Sequence, residues 1–432
     1  MKILLVNPPN SGRSIPEERY GIDSIKQILK GEPLALEMLA GNLIGHDVRI
    51  VDLKVEPDTL DRVLAEFPPD VVGLTGVTCE ANSVLALAGR IKKISGAITV
   101  VGGIHASNDP EFFNQPQVDY IVMGLGKLSF RQLLDTVQSN PGATTTIPGI
   151  AKSTPGKPLE FIPRQYKRED LVDIAAPRYD LVEQYRDSYT LVTLGIRMGF
   201  VATAFGCPFN CSFCCIRPLT NGRYLTQEID SVIRDIKLLR DIPVIRLLDA
   251  NTFGDPEHSR RLCHAIKEAG IKKQYLADVR SDTVVRHPDL IREWKETGLR
   301  AVIIGFEEIS DEELQKLNKA NKASTNTEAI RILHDLGITI IGDFIISPDY
   351  DETRFDQLSD YIRKNAIDLP MPTVLTPLPG TSLYKTLKDR IVINDLDYYT
   401  LTNSVIPTRL DEQRFYLRYA EILKEGHTGA RL

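Results

Sequence analysis

Four of the six cysteines in this chain lie within nine residues, in the stretch GCPFNCSFCC. Cys207, Cys211 and Cys214 have the spacing C-x3-C-x2-C, and Cys215 follows directly. Thiols at such short spacing form disulfides, hold zinc or bind an iron–sulfur cluster. Disulfide scaffolds are usually short secreted chains with small cores, whereas this chain has 432 residues and is 42% hydrophobic. We therefore expect metal binding rather than a disulfide framework.

The number and order of the thiols bear on which metal they hold. A structural zinc site usually has four ligands in two separated pairs. Adjacent residues such as Cys214 and Cys215 do not easily turn toward one metal, which leaves three ligands. Three thiolates suit a cluster of four irons in which the fourth iron stays free to bind a small molecule. We expect Cys207, Cys211 and Cys214 to be cluster ligands and Cys215 not to be one.

Charge and hydropathy limit the partners and the compartment. The formal net charge is −6, whereas nucleic acid binding normally needs clustered positive charge. A small molecule or lipid is therefore the expected substrate, and nucleic acid is not an expected partner. The first residues, MKILLVNPPNS, contain too short an apolar run for a signal peptide,. No run of about eighteen apolar residues occurs, so we expect a cytoplasmic protein.

The elements ahead of the cysteines predict a doubly wound, Rossmann-like α/β domain over residues 1–140. Short apolar runs alternate there with helical patterns, and runs rich in Val, Ile and Leu suit parallel strands that are buried on both faces. The five runs are KILLV at the start, DVRIVD at 47–52, DVVGLT at 70–75, AITVVGG at 97–103 and VDYIVMG at 118–124.

Residues 141–195 contain six prolines and few periodic segments, which predicts a linker draped over the surface. Six further β/α units follow over residues 196–385 and predict a partial (β/α)6 barrel of the TIM type, with chemistry at the carboxyl ends of its strands. The cysteines lie just beyond the first of these strands, predicted at 199–205. Residues 386–432 have no strand pattern and predict a short tail that ends in a helix.

The cysteine loop and the barrel pattern resemble radical S-adenosylmethionine (SAM) enzymes, whose signature is CxxxCxxC. This resemblance covers most of residues 196–385 and implies a [4Fe–4S] cluster that binds SAM. It places Phe213 beside the adenine, Asp249 and Asn251 at the methionyl end, Arg280 on the methionyl carboxylate and Glu307 at the ribose and amino end. The structural alternatives are a core position for Phe213, helix caps for Asp249 and Asn251, and a surface salt bridge for Arg280. Glu308 is expected to face water.

The first domain resembles the cobalamin-binding domain that precedes many radical SAM barrels, because it has NPP after the first strand, a later GGxH and a strand reading VDYxVxG. Ligands of such domains bind beyond the strand ends. The resemblance implies cobalamin contacts from Asn7, Pro8, Thr75, Thr78, Gly102, Gly103, His105, Gly124 and Gly126.

Two positions depart from the pattern of that family. The Asp-x-His-x-x-Gly sequence that supplies an imidazole to cobalt is absent after the first strand, so cobalamin is expected to bind without a protein histidine there. His105 lies on another loop and is expected to hydrogen-bond the cofactor or the backbone rather than ligate cobalt. Lys127 stands where an acidic residue is common, and either a helix start or a cofactor contact explains it.

The order of domains resembles class B radical SAM methyltransferases, and LVDIAAPRYDL at 171–181 resembles the segment that leads into their barrel. The strings DANTF, VRSDTVVRHPDL, DFIISPDYDETRF and VLTPLPGT look most like the hopanoid methylase branch. The resemblance implies that a reduced cluster splits SAM into methionine and a 5′-deoxyadenosyl radical, which removes hydrogen from an unactivated carbon. That carbon then takes a methyl group from methylcobalamin.

The same resemblance implies a small-molecule or lipid substrate, an electron donor such as flavodoxin or ferredoxin, and peripheral membrane contact if the substrate is a lipid. The chief alternative is cyclisation, desaturation or carbon–carbon coupling without methyl transfer. Transfer RNA methylthiolation needs a second set of three cysteines in the N-terminal domain, where only Cys79 is found. A zinc-stabilised interaction protein predicts four convergent ligands and no cavity between the domains.

Overall fold

The structure is a computed structural model, and it describes residues 1–23, 30–139, 141–167, 171, 173–191 and 196–428. Its strands are β1 (Lys2–Asn7), β2 (Asp47–Asp52), β3 (Val71–Leu74), β4 (Ile98–Val101), β5 (Tyr120–Val122), β6 (Ile150–Lys152), β7 (Thr190–Leu191), β8 (Ile196–Val201), β9 (Ala204–Phe205), β10 (Leu225–Thr226), β11 (Val244–Leu247), β12 (Gln274–Val279), β13 (Leu299–Glu307), β14 (Thr339–Ile346) and β15 (Leu369–Val374).

The α-helices alternate with these strands along most of the chain. They are α1 (Ile15–Tyr20), α2 (Leu34–Gly41), α3 (Leu60–Glu66), α4 (Ala81–Ile94), α5 (Ile104–Asn108), α6 (Lys127–Ser139), α7 (Ile229–Leu238), α8 (Pro256–Glu268), α9 (Ser281–Arg286), α10 (Pro288–Thr297), α11 (Asp311–Lys316), α12 (Ala323–Asp335), α13 (Glu352–Lys364), α14 (Ser382–Leu387) and α15 (Glu412–Thr428).

The N-terminal sheet has the strand order β2-β1-β3-β4-β5-β6, in which the first five strands are parallel. Each of the five strands predicted from the sequence is present. Residues 3–6 of β1 are fully buried and alternate between two separate apolar cores. Helices therefore cover both faces of this sheet, which confirms the doubly wound, Rossmann-like fold.

The second sheet has the order β15-β14-β13-β12-β11-β8-β7, with six parallel strands and β7 antiparallel at one edge. It confirms the partial (β/α)6 barrel. The first barrel strand runs over Ile196–Val201 rather than over the predicted 199–205, because Ala204–Phe205 pairs with β10 in a separate two-stranded ribbon. That ribbon starts the cysteine loop.

The prediction of a linker draped over the surface is wrong for the described part of residues 141–195. This segment adds one strand to each sheet, β6 beside β5 and β7 beside β8. It also buries Tyr179, Tyr185 and Tyr189 in an apolar core that contains residues of both domains. The prolines interrupt helical periodicity, but they do not prevent the aromatic side chains between them from packing.

The C-terminal segment contacts both domains. Helix α15 is the predicted final helix, and its Phe415 and Tyr419 are buried in the core on the barrel side. Ahead of it, the fully buried Asn403 donates from Nδ2 to the Arg13 carbonyl at 2.8 Å and accepts at Oδ1 from the Ile15 amide at 2.8 Å. The tail therefore holds the long loop that follows β1.

We expect Asn403→Ala to lower the unfolding free energy by about 3 kcal/mol, because it leaves buried backbone groups of that loop without partners. The shift of the urea unfolding midpoint measures the loss. Asn82→Ala is the control, since the half-buried Asn82 amide donates to the side chains of Asp395 and Asp397, at 3.1 Å each, and not to backbone groups of the described residues. Equal losses in the two variants would contradict the role given to Asn403.

Candidate active site

A cavity of about 670 Å³ lies between the two domains, where the carboxyl ends of both parallel sheets face each other. Ligand sites of doubly wound sheets and of barrels form at these strand ends, and here one cavity serves both. The predicted site residues that line it are Asn7, Thr75, Gly102, Gly103, Gly124, Gly126, Cys207, Cys211, Phe213, Cys214, Asp249, Arg280 and Glu307. Pro8, Thr78, His105 and Asn251 are outside its lining.

The cysteine loop is held at several points of its backbone. The Ser212 amide donates to the Leu317 carbonyl at 2.9 Å, and Asn318 Nδ2 donates to the Asn210 carbonyl at 2.6 Å. Cys215 differs from the other three cysteines because its carbonyl accepts from Asn108 Nδ2 at 2.9 Å and its side chain packs against an apolar core. The three predicted ligands therefore share the cavity, whereas Cys215 is directed elsewhere.

The loop thiols fit an iron–sulfur cluster. Burial raises the pKa of Cys214 to about 12 and also raises the pKa of Cys211, where the nearby charges of Lys319 and Arg280 act in the opposite direction. The raised pKa favours the protonated form of the Cys211 and Cys214 thiols, and metal binding would release their protons,. No three His, Cys, Asp or Glu side chains of the described residues converge on a single ion. A cluster does not require that convergence, because each thiolate binds a different iron.

Asp249 and Asn251, at the end of β11, have different surroundings. The buried Asp249 carboxylate accepts from the Thr203 amide at 2.7 Å, the Thr203 hydroxyl at 2.6 Å and the Ala204 amide at 2.9 Å. These donors lie in the turn that leads into the cysteine loop, so Asp249 positions that turn. Asn251 is 2% exposed, and neither atom of its amide has a partner among the described residues. An unpartnered buried amide costs free energy and fits a polar ligand.

Arg280 connects the cysteine loop to the segment after α11. Its guanidinium lies 3.6 Å from the centroid of the Phe209 ring. Its Nη2 donates to the carbonyls of Lys319 at 3.0 Å and Ala320 at 3.2 Å, while Nε donates to Asp282 at 2.9 Å. The alternative prediction for Arg280 was a salt bridge at the surface. The structure instead buries this side chain at the cavity wall.

Glu307 ends β13 with a φ of +64°, which is uncommon for a residue other than glycine,. Its carboxylate pairs with Lys319 Nζ at 2.6 Å, and both side chains line the cavity. An observed backbone outlier at a cavity is a sign of a functional position. Lys319 was missed by the sequence reasoning, because the string KLNKANK gives no sign that one of its lysines turns inward.

The expectation that Glu308 faces water is wrong. It is 3% exposed, and its carboxylate accepts from the Tyr350 hydroxyl at 2.6 Å and from Arg354 Nη2 at 2.9 Å. The register of β13 against β14 shifts between Gly305 and Glu307. This shift directs the two adjacent glutamates to different surroundings.

The loops of the N-terminal domain bring backbone to the cavity wall. Gly103 has a φ of +96°, and a Cβ there would lie 2.6 Å from Thr75 Oγ1, so the close contact of the β3 and β4 loops requires glycine,. Asn7 Nδ2 donates to Asp52 Oδ1 at 2.9 Å. Small residues and exposed backbone at these strand ends fit a large planar cofactor that contacts the domain over a broad face.

His105 and Lys127 are both buried. The His105 ring packs edge-on against Phe112 and Phe113, and neither ring nitrogen has a hydrogen-bond partner among the described residues. The expected side-chain contact with the backbone is therefore not found. Lys127 starts α6, as one of its two explanations predicted, and its ammonium pairs with Asp173 at 2.6 Å. Burial lowers the pKa of Lys127.

Family comparisons agree with this division of the chain. The B12 binding domain matches residues 27–134, and the Radical SAM superfamily matches residues 201–362. Hopanoid C-3 methylase of Methylococcus capsulatus is 31% identical over 420 residues, which are 94% of this chain and 78% of that protein. An anaerobic magnesium-protoporphyrin IX monomethyl ester cyclase of Synechocystis is 26% identical and covers 91% of this chain and 78% of its own length.

Solved structures show the same fold. The radical SAM methyltransferase TsrM of Kitasatospora setae, with cobalamin and a [4Fe–4S] cluster bound, has a TM-score of 0.71 at 20% identity, over 90% of this chain and 78% of that chain. OxsB, a cobalamin-dependent SAM radical enzyme with aqua-cobalamin and SAM bound, has a TM-score of 0.72 at 15% identity, over 97% of this chain and 66% of that chain.

The two family matches and the thiol-lined cavity define an enzyme of the radical SAM class. Within that class the chain belongs to the cobalamin-dependent family that includes hopanoid C-3 methylase. Its cofactors are a [4Fe–4S] cluster, SAM and cobalamin, as the resemblance of the sequence implied. In the part of the chain that the structure describes, no helix has the length and hydropathy to cross a membrane.

We expect alanine at Cys207, Cys211 or Cys214 to abolish cluster binding without unfolding the protein, because the three side chains are only half-buried and lie on a loop. Iron and sulfide analysis after anaerobic reconstitution measures the effect. Cys215→Ala is the matched control and is expected to keep its iron. Loss of the cluster in Cys215→Ala and retention in Cys214→Ala would show that the ligand assignment is wrong.

His105 should make the unfolding free energy depend on pH, because burial lowers its pKa from 6.5 to about 4 in the folded chain. Below pH 6.5 the unfolded chain binds a proton that the folded chain does not, so this stability is present at neutral pH. It is lost as the pH falls toward 4, by about 3 kcal/mol in total.

His105→Phe removes the titration, so the loss of unfolding free energy between about pH 7.5 and about pH 5 should be smaller than in the wild type. Urea unfolding at both pH values measures it. His334→Phe, at an exposed position of α12, is the control. An unchanged pH dependence in His105→Phe would mean that His105 does not titrate in this way.

Proposed function

We propose that this protein transfers a methyl group to an unactivated carbon of an apolar small molecule or lipid. The observation that carries this proposal is the single cavity between the domains, which the three thiols border on the barrel side and the glycine-rich loops border on the other side. A substrate in this cavity would contact the SAM side and the cobalamin side at once. Methyl transfer by the two cofactors needs both of these contacts.

When bound, the cluster and SAM supply a carbon-centred radical that removes hydrogen from the substrate, and cobalamin supplies the methyl group. The protein binds and positions these groups. We assign the cluster to Cys207, Cys211 and Cys214, and SAM to the lining residues Phe213, Arg280 and Glu307, with Asp249 positioning the turn before the cysteine loop. Asn251 is outside the lining, and we assign it to SAM because its buried amide has no partner among the described residues. We assign cobalamin to the cavity-lining residues Asn7, Thr75, Gly102, Gly103, Gly124 and Gly126.

No histidine contact with cobalt is proposed. The loop after β1 has none, and the His105 ring is enclosed by Phe112 and Phe113 away from the cavity lining. His105, Pro8 and Thr78 are therefore left out of the proposed contact set. Thr78 is 5% exposed and follows the lining residues Gly76 and Val77 in the chain.

The cavity lining supports an apolar substrate. Helix α2 contributes Leu34, Leu36, Met38 and Leu39 to the wall. The charged residues of the lining are Lys54, Glu80 and Lys127 of the N-terminal domain and Asp249, Arg280, Glu307 and Lys319 of the barrel. Apolar walls around a few polar groups are typical of small-molecule sites and keep water from the reacting atoms. Reduction of the cluster requires a one-electron donor, for which flavodoxin or ferredoxin is suitable.

Anaerobic reaction of the reconstituted protein with reductant, an apolar cell extract and SAM that carries a deuterated methyl group tests the proposal. We expect a product that carries the label, together with about equal amounts of 5′-deoxyadenosine and S-adenosylhomocysteine, because each cofactor consumes one SAM per turnover. Cys214→Ala should form neither nucleoside product. Deoxyadenosine with an unlabelled cyclised or desaturated product would contradict methyl transfer and favour the reaction class of the cyclase relatives.

A further inference from the structure

The Glu307 carboxylate already has a cation at its side. Lys319 Nζ is 2.6 Å from Glu307 Oε1, and both side chains are about nine-tenths buried. The pair lies over Gly305, since a Cβ at that glycine would be 2.9 Å from Lys319 Nζ and would touch Glu307 Oε1. A buried ion pair is costly to break unless another partner replaces the one that leaves.

SAM brings its own cations to this position. The proposed function, on which this inference rests, places Glu307 near the amino end of SAM, where an ammonium group would pair with the same carboxylate. Lys319 also lines the cavity, so its ammonium group occupies space that the ligand would enter. SAM and Lys319 therefore compete for Glu307.

Asp343 is positioned to receive the displaced ammonium group. Asp343 is the cross-strand partner of Gly305. Its side chain therefore lies on the face of the sheet where a Gly305 side chain would lie, and this face carries Lys319 Nζ,. Neighbouring strands are about 4.8 Å apart. No described residue donates a hydrogen bond to the Asp343 carboxylate or forms an ion pair with it. The neighbouring carboxylate Asp278 differs, because it is already paired with Arg246.

The surrounding charges favour this transfer. Burial raises the pKa of Asp343 well above its usual range, and Glu307 and Asp278 act in the same direction, whereas Lys319 and Arg246 lower it. A cation that moves toward Asp343 would stabilise its charged form. Arg280 holds the backbone carbonyls of Lys319 and Ala320, so the movement would be a rotation of the Lys319 side chain.

We propose that Lys319 is an internal substitute for the ammonium group of SAM, which displaces it from Glu307, and that Asp343 then binds the displaced Lys319. Without ligand, Lys319 balances the charge of Glu307, and burial favours the protonated form of Asp343. When the ammonium group of SAM pairs with Glu307, the displaced Lys319 pairs with Asp343, which releases its proton to solvent. Lys319 is thus a positioning residue that keeps Glu307 charged and ordered until SAM arrives.

The test is the dissociation constant of SAM, measured by equilibrium dialysis with radiolabelled SAM on the reconstituted protein with its cluster oxidised, so that no cleavage occurs. We expect Lys319→Met to bind SAM about tenfold more tightly, because the competing charge-assisted hydrogen bond is worth about that factor. Asp343→Asn should bind about tenfold more weakly, since the displaced lysine then lacks a charged partner. In the double variant, Asp343→Asn should have no effect.

Asp278→Asn is the control, because it removes a carboxylate of the same barrel interior that is paired with Arg246 and not with Lys319. Its effect on SAM affinity should be the same with Lys319 and with Met at position 319. Lys319→Gln serves as a second variant if Lys319→Met loses its cluster or its secondary structure. The increase of the Tm on addition of SAM, measured on the same variants, should rank them in the same order.

Weaker SAM binding by both Lys319→Met and Lys319→Gln would overturn the inference, because Lys319 would then assist SAM rather than compete with it. An equal effect of Asp343→Asn in both backgrounds would rule out Asp343 as the acceptor. Either result would leave the proposed function intact if the wild type binds SAM. Absence of SAM binding by the wild type would instead contradict the proposed function and this inference together.

Discussion

The geometry of this molecule depends on one buried carboxylate, that of Asp173, which is in the segment between the domains. Its side chain is 1% exposed and accepts hydrogen bonds from both domains. Lys127 donates at 2.6 Å and Asn42 at 3.0 Å from the N-terminal domain, and Gln227 donates at 3.2 Å from the barrel. The backbone N–H of Gln227 also donates to the Thr203 carbonyl at the turn before the cysteine loop. Asp173 therefore links the N-terminal domain to the barrel through side-chain hydrogen bonds.

The sequence predicted the parts of the fold that depend on local patterns. The apolar runs of both sheets, the helical spacing of Val232 and Ile236 in α7, and the final helix all follow from periodicity along the chain. The cysteine spacing was equally informative, because the three predicted ligands lie on one loop. These features need only short-range information.

Features that depend on contacts between distant segments could not be predicted in the same way. The three buried tyrosines of the connecting segment are ordinary aromatic residues in sequence, and their burial follows from the packing of two sheets around them. Lys319 looks like any lysine of a charged stretch until Asn318 and Ala320, each with a φ of +51°, turn it toward the cavity. The different surroundings of Glu307 and Glu308 follow from a register shift that no pattern of charges encodes.

The electrostatics of the barrel follow from the shielding of its charged side chains from water. Carboxylates and cations that are shielded from water interact more strongly than at the surface, and an unpaired charge there is costly. Arg246 and Asp278 satisfy each other deep in the barrel, and Arg280 is fixed by Phe209 and by backbone carbonyls. Fixed charges of this kind need no rearrangement when a ligand enters, which is the condition for strong electrostatic stabilisation. Since the thiol loop is hydrogen-bonded to Leu317 and Asn318, the segment that carries Lys319 also supports the loop of the predicted cluster ligands. The thiol loop and the Glu307–Lys319 pair are therefore connected through one hydrogen-bonded segment.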